Sequence, residues 1–166
     1  MDKKYFLGVS QLGTVDGIPE IEIDFYEYNS LRSSIKCLSM ALELEEIYSF
    51  IVSNYIDFES FLFEYSLSSK LFDEENIYVG FQRAKMDSNR RLVNILTVTR
   101  MYVDQATRKV KCIFSDAEEI PDFAKMKSEK YDSHFEYRFM EAIRNHVQHG
   151  GLGAHSIRAP LNNSSR

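Results

Sequence analysis

The segment 135–149 reads FEYRFMEAIRNHVQH, and Gly150 and Gly151 follow it directly. Its apolar residues recur at spacings of three and four, which predicts an amphipathic helix from about Ser133 to His149. The glycine pair is a strong signal for the end of that helix. At about 100° per residue, one side of the helix carries the apolar residues that we expect to be buried: Phe139, Met140, Ile143 and Val147.

The other side of this helix is polar. Residues one turn apart contact each other, so Asn145 and His149 form one pair and Glu141 reaches Arg144. In most proteins such a sector is a solvated face, and that is the first interpretation. The second interpretation is a site for chemistry. His146 lies at the margin of the apolar stripe, which is typical of a core or interface histidine. The polar sector consists of Glu141, Arg144, Asn145, Gln148 and His149.

The run from Arg144 to His149 resembles the signature of the HEPN superfamily, Arg-x(4–6)-His near the end of a core helix. The polar Asn145 directly after the arginine is common in that family. The resemblance implies an α-helical bundle, here over 29–151. Family members pack two such helices together, so that each cleft holds two Arg and two His. Because this chain carries one copy of the motif, the resemblance implies a homodimer through this helix.

The resemblance also implies a metal-independent endoribonuclease that leaves 2′,3′-cyclic phosphate and 5′-OH ends. RNA cleavage without a metal needs a base for the 2′-OH proton, and imidazole suits that task. It also needs a cation for the charge that builds on the phosphorane, and guanidinium suits that one. We therefore expect His149 as the base, Arg144 as the cation and Asn145 as the residue that orients His149. Glu141, Gln148 and His146 are the supporting candidates.

The resemblance also implies a role in a toxin–antitoxin or phage-defence system, with RNA as the substrate and an antitoxin or sensor protein as a partner. The alternative is a catalytically silent HEPN-type interaction or scaffolding module. A third hypothesis, an unrelated helical adaptor, leaves the Arg144–His149 face in open solvent. The location of that face and the oligomeric state of the protein discriminate among the three.

The overall charge gives no general attraction to nucleic acid. The chain has 20 Lys and Arg against 25 Asp and Glu, a formal net charge of −5. Contact with RNA phosphates therefore requires a local basic patch. The candidates are Arg90, Arg91 and Arg100, although a basic helix face is often only solvated.

Cysteine and histidine placement predicts neither a disulfide framework nor a metal site. Cys37 and Cys112 lie far apart without a Cys-x-x-Cys pair, which is typical of buried free thiols in a reducing compartment. His146, His149 and His155 invite a zinc interpretation, but no Cys, Asp or Glu follows Glu141 to complete the set. We expect no metal and no cofactor.

The hydropathy pattern predicts neither a signal peptide nor a membrane span. The first residues lack a long apolar core, and no window approaches the roughly 18 apolar residues that a span requires. We expect a cytoplasmic protein with no membrane partner.

The N-terminal region differs from the rest of the chain. Segments 4–9 and 18–26 are rich in β-forming residues, and Gly13 and the Asp16-Gly17 pair supply turn residues between them. The sequence therefore predicts a small β-hairpin over 1–28. The fold class that we predict is mainly α, an HEPN-like helical bundle over 29–151 with this hairpin before it. A loop or frayed tail is expected over 152–166.

Three helices are predicted upstream of the last one. The first begins with Asn29 or Ser30 as its N-cap, and the second begins near Asp57, with a break over 66–73. The third extends from about Glu75 to Phe114, with a possible interruption at Gly80 or at the Asp87-Ser88 pair. Pro121 marks the next break.

Overall fold

A computed structural model of the protein describes residues 3–8, 20–71, 77–114 and 122–157. Helices hold 83% of the described residues, which confirms the mainly α fold with a small N-terminal hairpin. The chain forms two compact units, Met1–Leu42 and Glu43–Arg166. The elements are β1 (Tyr5–Gly8), β2 (Glu20–Ile23), α1 (Phe25–Leu71), α2 (Ile77–Ile113), α3 (Phe123–Ser133) and α4 (Phe135–His149).

The first unit contains the predicted hairpin. Strands β1 and β2 are antiparallel, with Tyr5 opposite Ile23 and Gly8 opposite Glu20. The ring of Tyr5 contacts the first turn of α1, with its centroid 5.7 Å from that of Phe25 and 4.4 Å from that of Tyr28. Aromatic contact therefore joins the hairpin to the start of the helix. The predicted turn residues, 13 and 16–17, lie outside the described residues.

Helix α1 begins at Phe25, and the prediction of a start at Asn29 or Ser30 was wrong. The Glu27 N–H donates to Asp24 Oδ1 at 2.7 Å, and the Asp24 N–H donates to Glu27 Oε2 at 3.0 Å. This reciprocal pair is a capping box, which satisfies N–H groups at the start of a helix. Asn29 lies inside the helix and donates through its amide to the Phe25 carbonyl at 2.9 Å.

Helix α1 continues to Leu71, so the predicted start of a second helix near Asp57 was wrong. No Gly or Pro occurs between Phe25 and Leu71, and without a breaker the helix continues through Ser66. Residues 72–76 lie outside the described residues.

Helix α2 is also uninterrupted, from Ile77 to Ile113. A single glycine costs a helix only about 1 kcal/mol, and Gly80 is accommodated. Asp87 and Ser88 lie within the helix, where Asp87 pairs with Arg91 one turn later at 3.3 Å. The long predicted helix is confirmed, and its predicted interruptions were wrong.

Helices α3 and α4 follow each other with only His134 between them. Asp122 caps α3, because its Oδ1 accepts from the Lys125 N–H at 2.9 Å. Arg138 Nη1 donates to the Tyr131 carbonyl at 3.1 Å and also to the Asp132 carbonyl. One side chain of α4 thus satisfies carbonyl groups at the end of α3. The sequence did not predict α3.

The core of the second unit lies around the middle of α2, and α4 packs against both α2 and α3. On α4, Met140, Ile143 and Val147 are half-buried, but Phe139 is 50% exposed. The prediction of a buried Phe139 was wrong because α4 turns its Tyr137–Arg144 side toward its neighbours. Buried apolar side chains among the described residues are Ile47, Ala84, Ile95, Leu96, Val98 and Ala106.

The described part of the C-terminal segment, 151–157, is a loop held against α2. Asn89, which is 3% exposed, donates to the Ala154 carbonyl at 2.9 Å and accepts from the Ala154 N–H at 2.8 Å. Gly153 lies so close to α2 that an added Cβ would meet Leu92 Cδ2 at 2.7 Å. The predicted helix end is confirmed, since Gly151 has a φ of 146°, which favours glycine.

Both cysteines are free, with Cys37 half-buried and Cys112 exposed. The expectation of burial was therefore wrong for Cys112, which lies in the last turn of α2.

Candidate functional site

Arg144 lies on the packed side of α4. Its Nη1 donates to Asn145 Oδ1 at 3.0 Å. Its Nε is buried and has no hydrogen-bond partner among the described residues. The guanidinium is therefore oriented by its neighbour and retains one donor that none of the described residues accepts from.

His149 is exposed and lies about 140° around the helix from Arg144, because five residues separate them at about 100° each. We call the side that carries His149 the exposed face of α4. It is apolar in its first half, with Phe135 64% and Phe139 50% exposed. The exposed face of α4 consists of Phe135, Phe139, Ala142, Asn145, His146 and His149.

The predicted polar sector is therefore divided. Arg144 and Glu141 are half-buried toward α2, whereas Asn145, Gln148 and His149 are exposed. Among the described residues, the hydrogen bond of the Asn145 side chain goes to Arg144, and none joins Asn145 to His149. The structure thus brings Asn145 to Arg144, and its predicted role as the orienting residue of His149 stays a prediction.

A cavity of about 240 Å³ lies between α2 and α4, and we call it the α2–α4 cavity. Arg100 Nε donates to Asp104 Oδ2 at 2.9 Å, and its Nη1 lies 3.7 Å from Glu141 Oε2. Arg100 and Glu141 therefore form an ion pair, but their separation is too long for a hydrogen bond. The cavity is lined by Leu96, Thr99, Arg100, Glu136, Tyr137, Met140, Glu141 and Arg144.

Tyr137 is the titratable group that this environment perturbs most clearly. Burial raises the pKa of its phenol above 10.0, and the carboxylates of Glu141 and Asp104 raise it further, against the opposing effect of Arg100. The ring packs edge-on against Tyr131, with centroids 5.6 Å apart. The Tyr137 phenol is therefore a neutral donor at physiological pH. Sequence reasoning missed this residue, although it lies two turns before Arg144 on the same side of α4.

Arg91 links α1 to α2 within the second unit. Its side chain is 16% exposed, with Nε 3.0 Å from Asp57 Oδ2 and Nη1 3.3 Å from Asp87 Oδ1. Its guanidinium carbon lies 4.4 Å from the centroid of the Phe61 ring, a cation–π contact. These contacts give Arg91 a structural role. They leave little of its side chain accessible to an RNA phosphate.

The other two basic candidates are also paired with acids. Arg90 is exposed and lies 3.7 Å from Asp87 Oδ1, and Arg100 contacts Asp104 and Glu141 as described above. Each of the predicted RNA-binding arginines thus has a carboxylate beside it, which lowers the local positive potential.

His146 contacts His155 of the C-terminal loop, with ring centroids 5.9 Å apart. Among the described residues, no three His, Cys, Asp or Glu side chains come together as the ligands of a metal ion would. Over the same part of the chain, the structure contains no helix with the length and apolar character needed to cross a membrane.

Comparison with known proteins gives no relative. No family model, no curated protein and no solved structure matches this chain.

Proposed function

We propose that this protein is a metal-independent endoribonuclease of HEPN type that acts as a homodimer. The observation that carries the proposal is the contrast between Arg144 and His149 on one helix. Arg144 is held by Asn145 and its Nε N–H has no partner among the described residues, whereas His149 is open to solvent. A fixed cation and an accessible base are the two groups that metal-free RNA cleavage requires.

The exposed face of α4 supports the dimer. Phe135 and Phe139 present large apolar surfaces that cost free energy in water. A two-fold contact buries the same patch on both copies, so Phe135 and Phe139 of each copy become covered. It also brings the two copies of His149 toward each other, since the histidine belongs to that face.

The reaction follows from two imidazoles and the guanidinium groups. The His149 imidazole of one copy takes the proton from the 2′-OH, and the 2′-oxygen attacks phosphorus. The bond from phosphorus to the 5′-oxygen breaks, and the second His149, which begins as the protonated imidazolium, donates its proton to that oxygen. Arg144 stabilises the phosphorane charge through N–H donors. The products are a 2′,3′-cyclic phosphate and a 5′-OH.

The test is cleavage of a labelled RNA pool by wild type, Arg144→Ala and His149→Ala, with product ends mapped. We expect each variant to lose activity by on the order of 100-fold or more, with melting temperatures that are nearly unchanged. Activity should persist in a chelator, because the scheme uses no metal. The controls are His134→Ala, since the His134 side chain makes no cap hydrogen bond, and Arg83→Ala, which removes an exposed arginine. Cleavage that persists in both site variants, or that needs a divalent ion, contradicts the proposal.

One observation favours the alternative, a catalytically silent HEPN-type interaction module. Arg90, Arg91 and Arg100 are each paired with carboxylates, and the net charge is −5, so phosphate contacts have few free cations. Such a module forms the same homodimer but cleaves no RNA. In either case we propose a cytoplasmic toxin–antitoxin or phage-defence setting, with an antitoxin or sensor protein as partner.

A further inference from the structure

One side of the second half of helix α1 lies against α2 within the second unit. Its buried and half-buried residues recur at alternating spacings of four and three, as in two helices that pack along their length. Asp57 and Phe61 both contact Arg91 of α2. The ring centroid of Tyr48 lies 6.0 Å from that of Tyr102, also on α2. The packed residues of this side are Ile47, Ile51, Asn54, Phe58, Phe61 and Tyr65.

A second side of the same part of α1, about 120° around the helix from the packed side, is largely apolar and open to solvent. The exposed fractions of its apolar side chains range from 39% for Val52 to 70% for Phe63. Contiguous apolar surface costs free energy in water and marks sites of association. We call this side the outer face of α1. It consists of Glu45, Val52, Tyr55, Ile56, Glu59, Leu62 and Phe63.

The charges on this part of α1 are all negative. Between positions 43 and 67 the sequence contains no Lys, Arg or His. Glu45 and Glu59 lie seven residues before and after Val52, so the three side chains form one row along the outer face. Neither carboxylate forms an ion pair among the described residues. A partner that covers the apolar side chains also removes water from these carboxylates, which is costly unless the partner supplies cations.

Shape and charge together restrict what the outer face can bind. Between Val52 and Phe63 it is a row of side chains about three turns long, which fits the apolar stripe of another helix. RNA phosphates and acidic lipid headgroups would meet Glu45 and Glu59 as like charges. A second copy of the chain, docked through the same face, would bring the same carboxylates together without a cation.

We infer that the outer face of α1 binds a basic amphipathic helix of a partner protein. The apolar stripe of that helix covers Tyr55, Ile56 and Phe63. Lys or Arg residues beside the stripe pair with Glu45 and Glu59, which lie about 21 Å apart along the helix axis. The outer face shares no residue with the Arg144–His149 site. The inference therefore goes beyond the proposed function and stands whether or not the protein cleaves RNA.

The first measurement uses two designed peptides as probes. Each is a labelled helix of about 21 residues with Leu at heptad positions a and d, and with either Lys or Glu at positions e and g. Fluorescence anisotropy with the full chain should show the Lys peptide binding about tenfold tighter or more, with an affinity that falls as salt is added. Equal binding of the two peptides, or no binding of the Lys peptide at about 100 μM protein, overturns the inference.

The second measurement assigns binding to the outer face. Phe63→Ser removes the most exposed ring of that face, so it should weaken binding of the Lys peptide by about tenfold or more. The matched control is Phe50→Ser, since Phe50 is 51% exposed on the same helix but lies about 140° around it from Phe63. The control should change the affinity by less than about twofold. Equal effects of the two changes contradict the inference.

The third measurement separates specific pairing from general attraction to an acidic protein. Glu59→Gln and Glu64→Gln each remove one negative charge from an exposed position on α1, but Glu64 lies about 140° around the helix from Glu59. Only Glu59→Gln should weaken binding of the Lys peptide, by about threefold or more at low salt. An equal loss in both variants shows general attraction alone and overturns the inference.

The mass of the free protein tests whether a second copy is the occupant. We expect light scattering to give the same mass for wild type and Phe63→Ser. If Phe63→Ser lowers the mass and Phe50→Ser does not, the outer face binds another copy of this chain, and the inference of a basic partner helix is overturned.

Discussion

Asn89 and Ala154 exchange two hydrogen bonds, with the Asn89 amide donating at 2.9 Å and accepting at 2.8 Å. The two residues are 65 positions apart. The amide of a buried side chain thus pairs with a backbone segment as a neighbouring strand would. A third bond, to the Lys85 carbonyl at 2.9 Å, fixes the rotamer of Asn89. This arrangement places the loop after α4 against α2.

Replacing Asn89 should therefore be costly. We expect Asn89→Ala to lower the free energy of unfolding by about 1–3 kcal/mol, because it leaves backbone groups of Ala154 without partners. The measurement is urea denaturation. The control is Asn54→Ala, since the Asn54 amide donates one exposed bond to the Phe50 carbonyl, and it should cost no more than about 0.5 kcal/mol. Equal effects of the two changes would contradict the structural role of Asn89.

The neighbours Arg90 and Arg91 should behave differently. Arg91→Ala removes two ion pairs and the contact with Phe61, and we expect a loss of about 1–3 kcal/mol in unfolding free energy. Arg90→Ala removes one exposed pair and should cost less than about 1 kcal/mol. Thermal and urea unfolding of both variants check this contrast. A larger effect at Arg90 would show that Arg91 does not link α1 to α2.

Asn145→Ala should lower the rate of RNA cleavage by about 10- to 100-fold with a small effect on the melting temperature. The physical reason is that Arg144 loses the acceptor that orients its guanidinium. The shape of the pH–rate profile should stay as in the wild type, because the base is a different residue. A displaced acidic limb of that profile would instead show that Asn145 acts on His149.

Phe139→Arg should convert the proposed dimer to a monomer. The ring is 50% exposed, so the change leaves the monomer folded but places a charge in the contact. Light scattering coupled to size exclusion measures the mass. The control is Met126→Arg on α3, since Met126 is 54% exposed, and it should leave the mass unchanged. A wild-type monomer at micromolar concentration would contradict the dimer.

Tyr137 should make stability depend on alkaline pH. Its phenol has a raised pKa in the folded protein, so the folded state holds the proton more tightly than the unfolded state. The contribution of this phenol to the free energy of unfolding is fully present below a pH of about 10. It is lost as the pH rises through the raised pKa of Tyr137 in the folded protein. Urea midpoints of wild type and Tyr137→Phe, measured on both sides of pH of about 10, should show a steeper alkaline loss in the wild type. Tyr78→Phe, which removes an exposed phenol, is the matched control.

The sequence predicted the parts of the fold whose signals are local. The hairpin strands, the length of α2 and the glycine end of α4 follow from residues within a few positions of each other. The continuity of α1 did not, because Asp57, directly before the apolar run that begins at Phe58, reads as the start of a second helix, although the helix continues through it. The helix start at Phe25 was missed because the capping pair, Asp24 and Glu27, lies before the first regular apolar repeat.

The candidate site was predictable as a set of residues but not as a geometry. Spacing alone places Arg144 and His149 about 140° apart on α4, yet it does not say which of them meets α2. That depends on contacts between α4 and elements far away in sequence, which also form the α2–α4 cavity. Glu141 and Arg144 were singled out on α4, but Leu96 and Thr99 carry no signal that would connect them with the site.

The apolar side chains on the exposed face of α4 have a consequence for how stability is measured. If a second copy covers Phe135 and Phe139, association is linked to folding, and mass action adds the free energy of the dimer contact to the stability of the folded chain. The midpoint of thermal unfolding then rises with the logarithm of protein concentration. In a cell, the level of expression would set the fraction of chains that are dimeric, so dilution alone would act as an off switch for the protein.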